Sequence, residues 1–339
     1  MTESKILDMS PRLRRPAARL RLAAAALATL ALASVALADE RPGSPPADLA
    51  GRIEALAKAH KGKAAVAFKN LQTGESYALD ADAPMPTASL VKFPVMIEAY
   101  RQAAEGKVDL DSPVMLTKKD KVPGSGVLTS HFSEGARFPL LDAVHLMITY
   151  SDNTATNLVL DAIGIGSTAA TMEALGCPNT KIHSKVYRRD TSVFPERSKV
   201  YGLGSTTAAE MIRLFEALHA RKLVDEKASE AMWKHLLTCD DRAKFPRFLP
   251  PGTKVAFKTG SVDASRTCAG VIETKGGPVA LCVLTDENED KSWSDDNAGN
   301  LLCAKIAREV YDHFTAQAEA PKPEPTAARP EEAAAPASK

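Results

Sequence analysis

Three short segments carry residue types that can make and break an acyl bond. In Ser89-Leu90-Val91-Lys92 a hydroxyl and an amine stand three positions apart. On a helix that spacing puts both on one face. A serine hydroxyl is a poor nucleophile near neutral pH and needs an adjacent base. A lysine amine is such a base only when burial or neighbouring cations lower its pKa. The second segment is Tyr150-Ser151-Asp152-Asn153. Ser151 can pass a proton to a leaving nitrogen, and the Asn153 amide both donates and accepts, which suits a substrate amide. The third is Lys258-Thr259-Gly260-Ser261. Gly260 permits close backbone approach, so the amides of Ser261 and Ser89 can face one oxyanion from two sides. Lys258 and Thr259 suit a carboxylate. Each segment also has a plain structural reading: a solvated lysine on a helix, an N-cap at Asp152, or a strand edge.

In this order the three segments resemble the S-x-x-K, S-D-N and K-T-G set of penicillin-binding proteins and class A β-lactamases. The resemblance covers most of the chain behind its leader. It implies Ser89 as nucleophile, Lys92 as base and Ser151 as proton donor. Asn153, Lys258, Thr259, Gly260 and Ser261 become substrate-binding residues. Family members often carry an arginine on the strand after K-T-G; Arg266 lies one residue from that register and is the expected ligand of a substrate carboxylate. The implied substrate is a small-molecule β-lactam or a peptidoglycan stem peptide, with no cofactor and no metal.

One family element is missing. Class A β-lactamases place a Glu-x-Glu-Leu-Asn pattern before the Thr-Thr helix, and its first carboxylate activates the deacylating water. This chain has Tyr187-Arg188-Arg189-Asp190-Thr191-Ser192-Val193-Phe194-Pro195-Glu196-Arg197 there. An ungapped count reaches Thr191, beside Asp190. Glu196 is the preferred base on this reading, with a solvated carboxylate as its structural alternative. Three functions stay open. The first is a serine hydrolase acylated at Ser89 that opens the β-lactam amide. The second is a D,D-peptidase-like enzyme with slow β-lactam deacylation. The third is a non-catalytic cell-wall or β-lactam binding module.

The hydrophobic pattern supplies elements to hold these residues. Helical spacing marks residues 50–60, 90–101, 139–150, 153–163, 167–175, 206–219, 227–237 and 297–314. Strands are expected at 64–69, 76–79, 254–258, 266–273 and 279–284. Strands at both ends with helices between predict an α+β fold of the β-lactamase/transpeptidase type. It has an antiparallel five-stranded sheet flanked by helices and an inserted helical subdomain. The globular part is placed at 48–316, with the sheet subdomain from 48–88 and 240–316 and the helical one from 89–239.

The remaining composition excludes several classes. Forty-three basic and 42 acidic residues leave a net charge of +1, so no global field steers nucleic acid to the surface. Residues 1–38 read as a signal peptide: arginines, an Ala/Leu-rich run, then Ala36-Leu37-Ala38. The protein is therefore expected to be exported, periplasmic or secreted, without stable membrane insertion and as a monomer. Residues 39–47 read as a linker and 317–339 as a disordered Ala/Pro/Glu-rich tail. None of the five cysteines has zinc spacing. A simple hairpin about Lys275–Pro278 would set Cys268 opposite Cys282, as a disulfide or as two buried thiols. His131, His145, His183 and His235 form no metal spacing.

Overall fold

The computed structural model describes residues 47–319. The leader, all but Ala47 of the linker, and the tail past residue 319 lie outside them. The chain opens with α1 (Ala47–Ala59), β1 (Lys63–Asn70), β2 (Ser76–Leu79) and β3 (Met85–Pro86). A 3-10 turn, Ala88–Val91, leads into α2 (Lys92–Ala104). The middle holds β4 (Pro113–Met115), α3 (Leu128–His131), β5 (Arg137–Pro139), α4 (Leu140–Thr149), α5 (Asn153–Ile163) and α6 (Ile165–Ala174). Then come β6 (Lys181–Ile182), α7 (Pro195–Tyr201), β7 (Gly204–Thr206), α8 (Ala208–His219) and α9 (Glu226–Leu237). The chain returns through β8 (Val255–Val262), β9 (Ser265–Thr274) and β10 (Gly277–Asp286) to α10 (Ala298–Glu319).

The main sheet has five antiparallel strands in the order β2-β1-β10-β9-β8. Its central strand comes from the end of the described chain and pairs with the first. Alternate residues face two cores. One face packs Val66, Phe68, Cys268 and Val283 against α1 and α10. The other packs Ala67, Ala269 and Cys282 against helices of the inserted segment. Among these, α8 lies directly on β1 and β10. The α+β architecture expected from the sequence is the one observed.

The hairpin between β9 and β10 corrects the cysteine expectation. Its turn is Lys275-Gly276, because Thr274 pairs with Gly277. That register sets Cys268 opposite Val283 and Cys282 opposite Ala269. A one-residue offset sends neighbours to opposite faces. All five cysteines are buried free thiols. The tail boundary also moves: α10 continues through Glu319, and Gln317 donates to Glu75.

His145 and His235 meet between α4 and α9. Their Nδ1 atoms lie 3.1 Å apart, and the Tyr100 hydroxyl of α2 is 2.8 Å from His235 Nε2. Burial, then the neighbouring His145, lowers the His235 pKa to about 4. The neutral ring therefore stabilises the fold fully above pH ~6.5, and this support fades as pH falls toward 4. A loss of about 1–2 kcal/mol is expected between pH ~7 and ~5, with most of it absent in His235→Gln. Urea midpoints of both proteins across that range test this; parallel curves would overturn it.

Candidate active site

The 3-10 turn that carries Ser89 is held from three directions. Thr87 N donates to Gly204 O of β7 at 3.0 Å, and Thr267 Oγ1 of β9 donates to Thr87 O at 2.8 Å. From β8, Gly260 lies flat against the turn. A Cβ on Gly260 would stand 2.3 Å from Thr87 O and 2.8 Å from Ser89 N, so only glycine fits. Ala88 takes φ +46° and Ser151 φ +52°. Non-glycine residues held in that region mark strain, which collects at functional sites.

Lys92 begins α2 and is fully buried. Its Nζ donates to Ser151 O and, at 2.9 Å, to Asn153 Oδ1; Ser151 Oγ lies 3.1 Å away. Burial, then the neighbouring Lys258, pushes its pKa well below the usual lysine value. Three oxygens surround the amine: Ser151 O, Asn153 Oδ1 and Ser151 Oγ, each placed to accept from Nζ. From the other side, Lys258 Nζ of β8 donates to Ser151 Oγ at 3.2 Å and to Thr259 O at 2.9 Å. Ser151 thus stands between two amines, one of which can supply a proton while the other takes one.

The segment after α4 is shaped by Asp152. Its Oδ1 accepts from Ala155 N at 2.8 Å and caps α5. Its Oδ2 accepts from Val127 N and Leu128 N at 2.7 and 2.8 Å. That is a structural role. Asn153 is also more occupied than its sequence reading implied: Nδ2 donates to Pro123 O at 3.0 Å while Oδ1 takes Lys92.

Ser89, Ser151, Asn153, Thr259, Gly260 and Ser261 line one cavity of about 570 Å³. A second cavity of about 480 Å³ shares Ser151, Thr259 and Ser261 with it and adds Lys258.

One expected residue lies away from both cavities, and another lines the second with its cation already engaged. Glu196 sits in the first turn of α7, paired with Lys199 in solvent, with its side chain 82% exposed. Neither it nor Asp190 lines the cavity that holds Ser89. Arg266 is buried, and its guanidinium is spent on Val262 O, Ser265 O and Ser292 O, with the Trp293 ring 5.1 Å away. It lines the second cavity with Lys258, Thr259 and Ser261, its guanidinium bonded to the loop beside β8.

The cation that sequence reading missed is Lys244. Its Nζ lies 2.7 Å from Asp241 Oδ2 and 3.2 Å from Ser261 Oγ. Lys244 and the Thr259 hydroxyl hold the Asp241 pKa below its ordinary value against the effect of burial. Nothing in Asp240-Asp241-Arg242-Ala243-Lys244 distinguishes this lysine from a solvated loop residue. Its burial comes from packing alone.

The model of the β-lactamase enzyme family matches residues 48–314. The chain belongs to that family. It is an enzyme of β-lactamase type, and its match spans the whole sheet and every element that lines the site. β-Lactamase VEB-1 of Pseudomonas aeruginosa is 21% identical over 277 residues, covering 79% of this chain and 90% of that protein. The crystal structure of a β-lactamase from Sphaerobacter thermophilus DSM 20745 superposes with a TM-score of 0.70 at 27% identity, covering 80% of this chain and 98% of its own. PBP-A shares the fold with the same TM-score and coverage at 22% identity; a PBP-A variant has been solved as an acyl-enzyme complex with penicillin G. Among the described residues no helix is long and apolar enough to cross a membrane.

Proposed function

We propose that this protein is a serine hydrolase of class A β-lactamase type, acylated at Ser89 by the β-lactam amide, and that the resulting ester is resolved slowly. The observation that carries the acylation step is the placement of Lys92. It is a fully buried amine of lowered pKa at the start of α2, directly after the turn that carries Ser89 and in contact with Ser151 Oγ. Lys92 takes the Ser89 hydroxyl proton as the oxygen attacks the carbonyl carbon. The amides of Ser89 and Ser261 stabilise the oxyanion. Ser151 then delivers a proton to the leaving nitrogen, and the C–N bond breaks. Lys258 and Thr259 supply the polar end of the cleft for the substrate carboxylate, as expected, with Lys244 as the added cation beside them.

Slow resolution rests on the acids near Ser89. Asp241 is the carboxylate among the described residues that line this cavity, and it is committed to Lys244 and Thr259. The same observation favours a second reading, a D,D-peptidase acting on D-alanyl-D-alanine ends whose β-lactam adducts persist. The intact pair of Ser89 and Lys92 speaks against a purely binding role. The N-terminal pattern supports export, where peptidoglycan and β-lactams are met.

Intact-protein mass spectrometry with benzylpenicillin tests this. The expected result is one stoichiometric adduct on Ser89 and none in Ser89→Ala. Labelling that survives in Ser89→Ala would overturn the assignment.

A further inference from the structure

We propose that Tyr187 and Arg189 form the wall that receives the acyl side chain of the substrate, and that this wall selects acyl groups joining an apolar ring to a carboxylate. The inference rests on acylation at Ser89 and adds the substrate class. Residues Lys185 to Arg188 form a turn, closed by Arg188 N donating to Lys185 O at 3.1 Å. Tyr187 is its third residue, with φ +57°. Glycine or asparagine is the usual occupant of a turn position with positive φ. A tyrosine there is strained, and strain of this kind points to a task for the side chain.

The turn is anchored to α5. Asn157 of α5 grips Val186 on both sides, accepting from its N at 2.8 Å and donating to its O at 3.0 Å. The Tyr187 side lies over Gly124, where a Cβ would come 3.1 Å from the tyrosine hydroxyl and 2.6 Å from Asn153 Nδ2. Yet Tyr187 is 64% exposed while lining the cavity that holds Ser89. Val262 and Trp293, also exposed, line the same cavity. A ring entering this mouth finds apolar surface that now faces water.

Charge adds the second requirement. Arg189 lines the cavity and has no carboxylate partner among the described residues. Its neighbour Lys185 is neutralised by Asp161, and Asp241 is paired with Lys244. The acyl arm is left with an uncompensated guanidinium, complementary to an anion.

Benzylpenicillin and α-carboxybenzylpenicillin differ by one carboxylate on the acyl side chain and isolate the effect. The second-order rate constant of Ser89 acylation is measured for both, in the wild type, Arg189→Ala and Tyr187→Gly. The carboxylated compound is expected to react about 10-fold faster than its parent in the wild type, with the ratio falling at high salt. Arg189→Ala should bring the ratio close to one. Tyr187→Gly should slow both compounds while raising the thermal midpoint, because glycine relieves the turn. Equal wild-type rates, or a ratio unchanged in Arg189→Ala, would overturn the inference alone. No labelling by either compound would overturn it together with the acylation reading.

Discussion

Replacing Val186 by Glu is expected to shorten the lifetime of the penicillin adduct on Ser89 by about 100-fold or more, within the usual contribution of a positioned general base. Val186 lines the cavity with Ser89 and is only 6% exposed. Asn157 fixes its backbone at both N and O, so a longer side chain at that position is delivered into the cleft and not swung into solvent. Hydrolysis of the ester needs a base for the attacking water, and the acid lining the cleft is already engaged by Lys244 and Thr259. A glutamate placed there loses hydration, which raises its pKa toward the working range of a base. The time course of the adduct by mass spectrometry gives the result directly. A folded Val186→Glu protein whose adduct decays no faster than wild type would show that water does not approach from this wall.

Lys92→Ala is expected to slow acylation by about 1,000-fold, since it deletes the proposed base and leaves Ser151 O and Asn153 Oδ1 without their buried donor. The pH dependence separates these two losses. Acylation in the wild type should fall as pH drops through the lowered Lys92 pKa, because the protonated amine cannot accept the Ser89 proton. Lys258 is the second cause of that lowering, after burial. Lys258→Ala should therefore raise the Lys92 pKa and move the acid limb to higher pH, whatever it does to substrate binding. Rates across a pH series in Lys258→Ala check this, and an acid limb that stays in place would remove Lys92 from the role of base.

Much of this site was legible in the sequence because it is local. Ser89 and Lys92 share one turn, and Asp152 caps α5, so the helix starts at Asn153 as its pattern predicted. The same holds for β2 at Ser76–Leu79. Legibility failed where residues meet through the fold. The strand expected at 254–258 runs on to Val262, because Thr259, Gly260 and Ser261 face the cleft and carry no hydrophobic alternation. The two- and three-residue strands β3, β6 and β7 are too short for any periodicity. The stretch expected to supply Glu196 as a base instead forms α7, begun by Pro195, which turns that carboxylate to solvent. Lys244, Val186 and Tyr187 gain their positions from packing across the cleft, which no spacing rule encodes.

The central strand of the sheet also fixes when this enzyme can come into being. β10 bridges β1, at the start of the described chain, and β9, near its end. During synthesis β1 waits for about two hundred residues before its partner is made, and the pocket around Ser89 has no floor until Gly260 and Thr267 follow. Pairing between such distant segments is slow, since a long loop must close before any contact repays it. A chain cut before Gly277 would keep every residue assigned here to the chemistry. It would also expose the edges of β1 and β9, where strangers can pair. The last strand is therefore a quality seal: activity and solubility arrive together, and only once the chain is long enough to include it.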